Sequence, residues 1–259
     1  KWVVFNDVSK KFLEAYIAIE FLYKMSKKII IISNSSENAR FTINKTLKKL
    51  KINQKIFKKI ITSGQIFESE IKNIKSKFKK KQLKCYCISE LDKKKLLKKN
   101  NILTSEKTSN IDFILASSIR PESDLNLFKQ KLDVLLKKKV QMICTNPDKT
   151  VYNGKKNKLV DQVGILASYY KNKGGKVIYY GKPYLKIYKE CLSYSENVSK
   201  KKVLLIGVQM EKDILGARNL KIDYLLIRNG IIKVKFVNLN HRKKLKVTVV
   251  KWIRLKQIY

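Results

Sequence analysis

Histidine occurs once in 259 residues, as His241. A single imidazole argues against Ser-His or Cys-His nucleophilic catalysis, where a base must sit beside the nucleophile. Cysteine is scarce too, at Cys85, Cys87, Cys144 and Cys191. The first two are one residue apart and alternate faces in a strand, which is not the paired spacing of a zinc site. The four read as buried free thiols in a reducing cytoplasm. No apolar run approaches the roughly 18–20 residues of a membrane span. The best candidate, AYIAIEFLY (15–23), is short and contains Glu20. No secretory leader is visible, and the first residue is Lys rather than Met, which suggests an incomplete amino terminus.

Acidic residues are few: 20 Asp and Glu stand against 59 Lys and Arg, a formal charge of +39. Such a balance invites a nucleic-acid partner. Yet arginine, whose fork suits bases and phosphates, occurs only at 40, 120, 218, 228, 242 and 254. The lysines are scattered through every segment. Abundant Lys, Asn and Ile is what an A/T-rich coding sequence imposes, and this is the simpler reading of the charge. Nucleic-acid binding stands as the alternative.

A composition of 44% hydrophobic and 31% charged residues fits a globular chain, long enough for one large domain or two modest ones. Short β-branched runs predict strands at 27–33, 58–64, 83–89, 111–117, 140–145, 176–181, 203–207 and 222–227. They are continuous rather than alternating, as parallel strands buried on both faces are. Helical periodicity runs between them at 10–25, 124–136 and 161–172. The alternation predicts a doubly wound α/β fold with right-handed crossovers. The lysine-rich stretch 72–84 reads as an exposed helix face and connection. The basic segment 231–259 has β-like alternation and no assignable role.

Open α/β sheets place ligands beyond the carboxyl ends of their strands. Four stretches fall there. KWVVFND (1–7) opens the chain. IIIISNSSEN (29–38) ends a strand in Ser33-Asn34, where a hydroxyl and free amides suit an anion, although Ser33 also reads as a helix cap. In YYGKPY (179–184), Lys182 is fixed between Gly181 and Pro183 and can neutralise a phosphate. The stretch is not a P-loop, because Lys176 and Pro183 stand where that motif needs glycine and Ser or Thr. The fourth, VLLIGVQMEKDILGARN (203–219), carries Asp213.

In order and spacing these stretches resemble the four motifs of the haloacid dehalogenase superfamily, specifically the NagD-like phosphatases of subfamily IIA. The nearest likeness is to bacterial hydrolases with a D-x-W-G-V first motif. ITSG (61–64) and CTNPDKTVYNG (144–154), followed by GGKVIYYGKP (174–183), are also characteristic of that subfamily. The resemblance implies a Rossmann-like core of residues 1–66 and 175–259, with residues 67–174 as an inserted α/β cap. It implies a Mg²⁺-dependent phosphatase of small phosphorylated metabolites, acting through an aspartyl-phosphate. Ser33 would hydrogen-bond the transferring phosphoryl group, and Lys182 would balance charge on nucleophile and phosphate. Trp2 would offer its main-chain carbonyl to the metal, and Asp213 would support the metal's water shell. Asn34 would seat the substrate, while Asn146 and Asp148 would face the site from near the hinge, unless Asn146-Pro147-Asp148 is simply a turn.

The pattern has departures. The attacking aspartate would fall immediately before Lys1, together with most of the first core strand, as in a truncated chain. A sheet without that strand would expose apolar neighbours. Val3 and Val8 replace glycines. Val208 replaces the metal-binding aspartate and offers no oxygen to a hard cation, so Mg²⁺ binding and turnover are expected to be impaired. Lys212 replaces threonine; it either pairs with Asp213 or offsets the missing metal charge. The alternative function is an inactive member of the fold kept for binding or structure, meeting an acidic partner such as nucleic acid.

Overall fold

The structure is a computed structural model that describes residues 5–6, 10–38, 43–90, 93–153, 158–195 and 198–227. Trp2, Val3, Val8, His241 and the basic segment 231–259 lie outside the described residues.

The first part of the chain contains a small antiparallel pair, β1 (Phe5–Asn6) and β2 (Lys10–Lys11), then α1 (Leu13–Lys24), β3 (Ile29–Ser33), α2 (Ile43–Lys49), β4 (Phe57–Thr62) and α3 (Ser63–Ser76). The middle contains β5 (Leu83–Ile88), α4 (Lys94–Lys99), β6 (Ile102–Ser105), β7 (Phe113–Ala116), α5 (Leu125–Lys137), β8 (Gln141–Cys144), a hairpin of β9 (Thr150–Asn153) and β10 (Lys158–Asp161), α6 (Gly164–Asn172) and β11 (Val177–Tyr179). Then come α7 (Leu185–Ser193), β12 (Leu204–Gly207), a π-helical turn (Met210–Ile214), α8 (Leu215–Leu220) and β13 (Asp223–Leu226).

The fold is α/β with parallel strands. Five of them form one sheet in the order β11-β8-β7-β5-β6, while β3 pairs with β4 and β12 with β13. All eight strands expected from the apolar runs are present, with small shifts at their ends. The expectation that the second ran to residue 64 fails for a local reason. Thr62 caps α3: its side chain accepts from Gln65 N while Gln65 bonds back to Thr62 N, a capping box that turns the chain into a helix at Ser63. Lys10–Lys11 likewise belongs to a strand rather than to the helix expected over 10–25. Because β11 pairs with β8, the five-stranded sheet crosses the boundary expected at 174/175.

Helix α3 lies at the centre of the packing. Its Ile66, Phe67, Ile71 and Ile74 are buried with Leu83, Phe113 and Leu115 of the five-stranded sheet, and with Ile61, Ile187, Tyr188 and Ala217 of the remaining elements. The opposite sheet face packs Ile114 and Met142 against Leu132, Leu135, Leu166 and Tyr170 of α5 and α6. A third cluster joins Ile31, Ile43, Leu47 and Phe57. Each such burial contributes about 1.5–3 kcal/mol, so α3 fixes the strands it bridges.

One expectation needs correction. The strand at 204–207 is not buried throughout: Leu204 is 55% exposed and Ile206 36%. Among the described residues only β13 pairs with it, so it is covered on one side alone. On α1, Leu13, Ile17 and Phe21 are also exposed, and they form a stripe at i, i+4 and i+8.

Candidate active site

β3 delivers Ser33 and Asn34, both buried, at its carboxyl end. The Ser33 Oγ accepts from Ser35 N at 3.2 Å, which leaves its hydroxyl proton available. The loop beyond is clamped by the start of α3. Ser63 Oγ and Gly64 N both donate to Ser35 O, at 2.9 and 3.0 Å, and Thr62 Oγ1 donates to Glu37 O at 2.7 Å. A Cβ at Gly64 would sit 2.2 Å from Ser36 O, so the stretch ITSG fits only with glycine there. Lys93 completes the clamp by donating to Ser36 O at 2.6 Å. Burial lowers the Lys93 pKa, and no periodicity or motif in the sequence marked this residue.

The turn after β11 brings Gly181 and Lys182 to the same loop. Lys182 N donates to Asn34 Oδ1 at 2.6 Å, and Asn34 Nδ2 donates to Lys182 O at 3.0 Å. Gly181 has φ +119, and a Cβ there would meet Asn34 Oδ1 at 2.8 Å. The second proton of Asn34 Nδ2 goes to Asp148 Oδ1 at 2.9 Å. Asn34 therefore joins three chain segments with all of its amide groups engaged.

Asp213 sits in the π-helical turn and packs under β12, its Cβ where a side chain at Gly207 would have to go. Lys182 Nζ lies 2.6 Å from Asp213 Oδ1. The other oxygen accepts from Val208 N at 3.0 Å and Gln209 N at 3.2 Å. Burial pushes the Asp213 carboxyl up, but the Lys182 charge and these donors outweigh it and hold the carboxyl below its ordinary value. Burial opposes the Lys182 charge in turn, yet Asp213 keeps its pKa above the ordinary lysine value. Lys212 does not pair with its neighbour Asp213: its Nζ is 2.9 Å from Asp148 Oδ1. Tyr188 Oη holds the Lys212 carbonyl at 2.9 Å.

Asn146 is buried but turned inward. Its Oδ1 accepts from Asp148 N at 3.1 Å, an Asx-type turn, and its Nδ2 donates to Gln162. The structure thus brings Asn34, Asp148, Lys182 and Asp213 into one network, with Ser33 beside it and Asn146 shaping the turn that presents Asp148. Trp2 lies outside the described residues.

No protein-family model matches the sequence, and no curated protein is similar to it. Solved structures do match. A haloacid dehalogenase-like hydrolase from Brucella suis 1330 superposes with a TM-score of 0.77 at 22% identity, covering 89% of this chain and 87% of that one. The p-nitrophenyl phosphatase from Archaeoglobus fulgidus gives a TM-score of 0.65 at 19% identity, covering 89% and 84%. NagD from E. coli K-12 gives 0.65 at 15% identity, covering 90% and 86%.

The chain has the NagD-like haloacid dehalogenase fold.

On that fold the resemblance implies Mg²⁺, and the side chains among the described residues do not fit it. The Val208 side chain contributes no oxygen. Both Asp213 oxygens are taken, one by Lys182 and the other by two amides, and Asp148 Oδ1 is shared by Asn34 and Lys212. Among the described residues no group of three or more His, Cys, Asp or Glu could hold a metal ion. An ammonium group lies beside each of the two acids, Lys182 at Asp213 and Lys212 at Asp148.

The remaining chemistry is quiet. None of the four cysteines forms a disulfide, and burial pushes the Cys144 and Cys191 thiols up to about 12. Among the described residues no helix is long and apolar enough to cross a membrane.

Proposed function

We propose that the chain is a phosphohydrolase-type protein that binds small phosphorylated metabolites and is impaired in turnover. Residues 67–174 would act as the cap over the phosphate site, and the cytoplasm would be its compartment. Ser33 donates its free hydroxyl proton to a phosphoryl oxygen. Lys182, held in place by Asp213 and Asn34, balances phosphate charge. Asn34 and Asp148 line the substrate side, and Asn146 positions Asp148 through the turn. The resemblance implies an attacking aspartate immediately before Lys1, and no step through a metal is derived for these residues.

The observation that carries this reading is the network that joins Asn34 at the end of β3 to Lys182 after β11, tied to Asp213 by the 2.6 Å ion pair, with Ser33 next to Asn34 in the chain. The impairment rests on Val208. The test is hydrolysis of p-nitrophenyl phosphate by the chain extended with aspartate before Lys1, with Mg²⁺ present. Background turnover is expected with Val208, and at least a tenfold rise with Val208→Asp. Equal Mg²⁺-dependent turnover in the two forms would contradict the impairment. Failure of both forms to bind a phosphate ester would contradict the phosphohydrolase reading.

A second reading, contact with nucleic acid, is supported by one surface feature. A groove of about 440 Å³ at the end of α3 is lined by Lys72, Lys75, Ser76, Lys79, Lys80 and Lys81. Of those lysines, Lys80 pairs with Asp112.

A further inference from the structure

We propose that the site binds a tetrahedral oxyanion through the ammonium groups of Lys182 and Lys212, with no divalent cation. The inference rests on the phosphate-site reading above and specifies how that site meets its charge requirement.

The charge count comes first. Relative to a motif with aspartate at 208 and threonine at 212, Val208 removes one negative charge and Lys212 adds one positive charge. The change is two units, the charge of one divalent cation. Both positions lie within the five residues that precede Asp213, the acid that the motif retains.

The geometry then separates the two lysines. Lys182 is fixed. Its partner Asp213 also accepts two main-chain amides, and its own backbone is bonded twice to Asn34. Lys212 is held by fewer contacts. Its only carboxylate partner among the described residues is Asp148, through a 2.9 Å contact in which the two side chains are 21% and 18% exposed. When Lys212 leaves, Asp148 Oδ1 keeps the Asn34 Nδ2 donor at 2.9 Å, so no buried carboxylate is left unpaired. In this proposal an entering oxyanion takes one ammonium from Lys212, which exchanges Asp148 for it, a second from Lys182 and a hydroxyl proton from Ser33.

This chemistry accepts a phosphate monoester or free phosphate. Inorganic phosphate and p-nitrophenyl phosphate, titrated calorimetrically into the whole chain in 0.3 M NaCl, distinguish the two, with surface attraction screened. Each titration is run once with EDTA and once with Mg²⁺. The expected result is the same affinity in both buffers within about twofold. Lys212→Thr should weaken binding by tenfold or more, the scale of a lost charge-assisted hydrogen bond, and Lys212→Arg should stay within about threefold of the unaltered chain. Circular dichroism of each variant separates lost binding from lost folding, and the arginine variant carries the test if the threonine variant unfolds. Binding that needs Mg²⁺ would overturn this inference and leave the phosphate-site reading standing. Metal-free binding that survives Lys212→Thr, or that is lost in a folded Lys212→Arg, would overturn the role of Lys212. No binding of either compound in either buffer would overturn both.

Discussion

The Lys182 ammonium and the Asp213 carboxylate form a largely buried pair, 2.6 Å apart, in which the acid's second oxygen is held by the amides of Val208 and Gln209. Neither partner can lose the other without leaving a charge in the interior. Replacing Asp213 with Asn should therefore cost about 3–5 kcal/mol, the range for one partner removed from a buried pair. Urea unfolding of the variant checks this, and a loss under 1 kcal/mol would mean the pair is solvated.

The same pair sets a pH window. The Asp213 pKa is lowered by folding, so its stabilisation is complete above the unfolded value of about 3.9 and is lost as pH falls through the lower folded value. The Lys182 pKa is raised, so its stabilisation is complete below about 10.4 and is lost as pH rises through the higher folded value. Unfolding free energy measured from pH 2 to 11 should show both limbs, and Asp213→Asn should flatten them.

Gly181 controls where Lys182 sits. With φ +119 and Asn34 Oδ1 2.8 Å from a would-be Cβ, Gly181→Ala should destabilise the chain by about 1–3 kcal/mol. It should also weaken phosphate binding, because the turn carries the lysine. Unchanged binding in the folded variant would show that the turn does not position Lys182.

Val208 decides the metal question independently of turnover. Val208→Asp places a second carboxylate beside Asp213, which should lower thermal stability in EDTA through like-charge burial. Millimolar Mg²⁺ should restore that stability, since a ligand that binds only the folded state raises the melting temperature. The unaltered chain should not respond. An equal Mg²⁺ shift in both forms would place the metal elsewhere.

The lysine groove at the end of α3 yields a separate outcome. Single-stranded DNA should bind at 50 mM NaCl and fall away steeply by 200 mM, as counterion release requires. Replacing Lys75 and Lys79 with Glu should abolish that binding. No binding at low salt would leave the lysines to coding bias.

The strands were legible because runs such as IIIIS and FILA are short and apolar; Ser33, Asn34 and Lys182 stood out because they lie at or just beyond strand ends, and Asp213 because it is an acid in the turn after β12. Helix α3 began earlier than expected because the Thr62–Gln65 capping box is a local signal that outweighs the apolar run before it. The hairpin at 150–161 was hidden inside a stretch read for its turn and its following helix. The partner of Lys212 could not be read at all. Its neighbour in sequence is Asp213, but the π-helical turn points that acid under β12, and Asp148 reaches Lys212 from the loop after β8. Exposure of β12 was equally hidden, since an apolar run does not say how many neighbours a strand has.

The most direct measurement is a crystal structure of the chain soaked with tungstate in EDTA, which gives a strong anomalous signal for a tetrahedral oxyanion. The account predicts one dominant site within hydrogen-bond distance of Lys182 Nζ, Lys212 Nζ and Ser33 Oγ, with Lys212 moved off Asp148. Tungstate found only in the lysine groove, or absent from this site until Mg²⁺ is added, would contradict it.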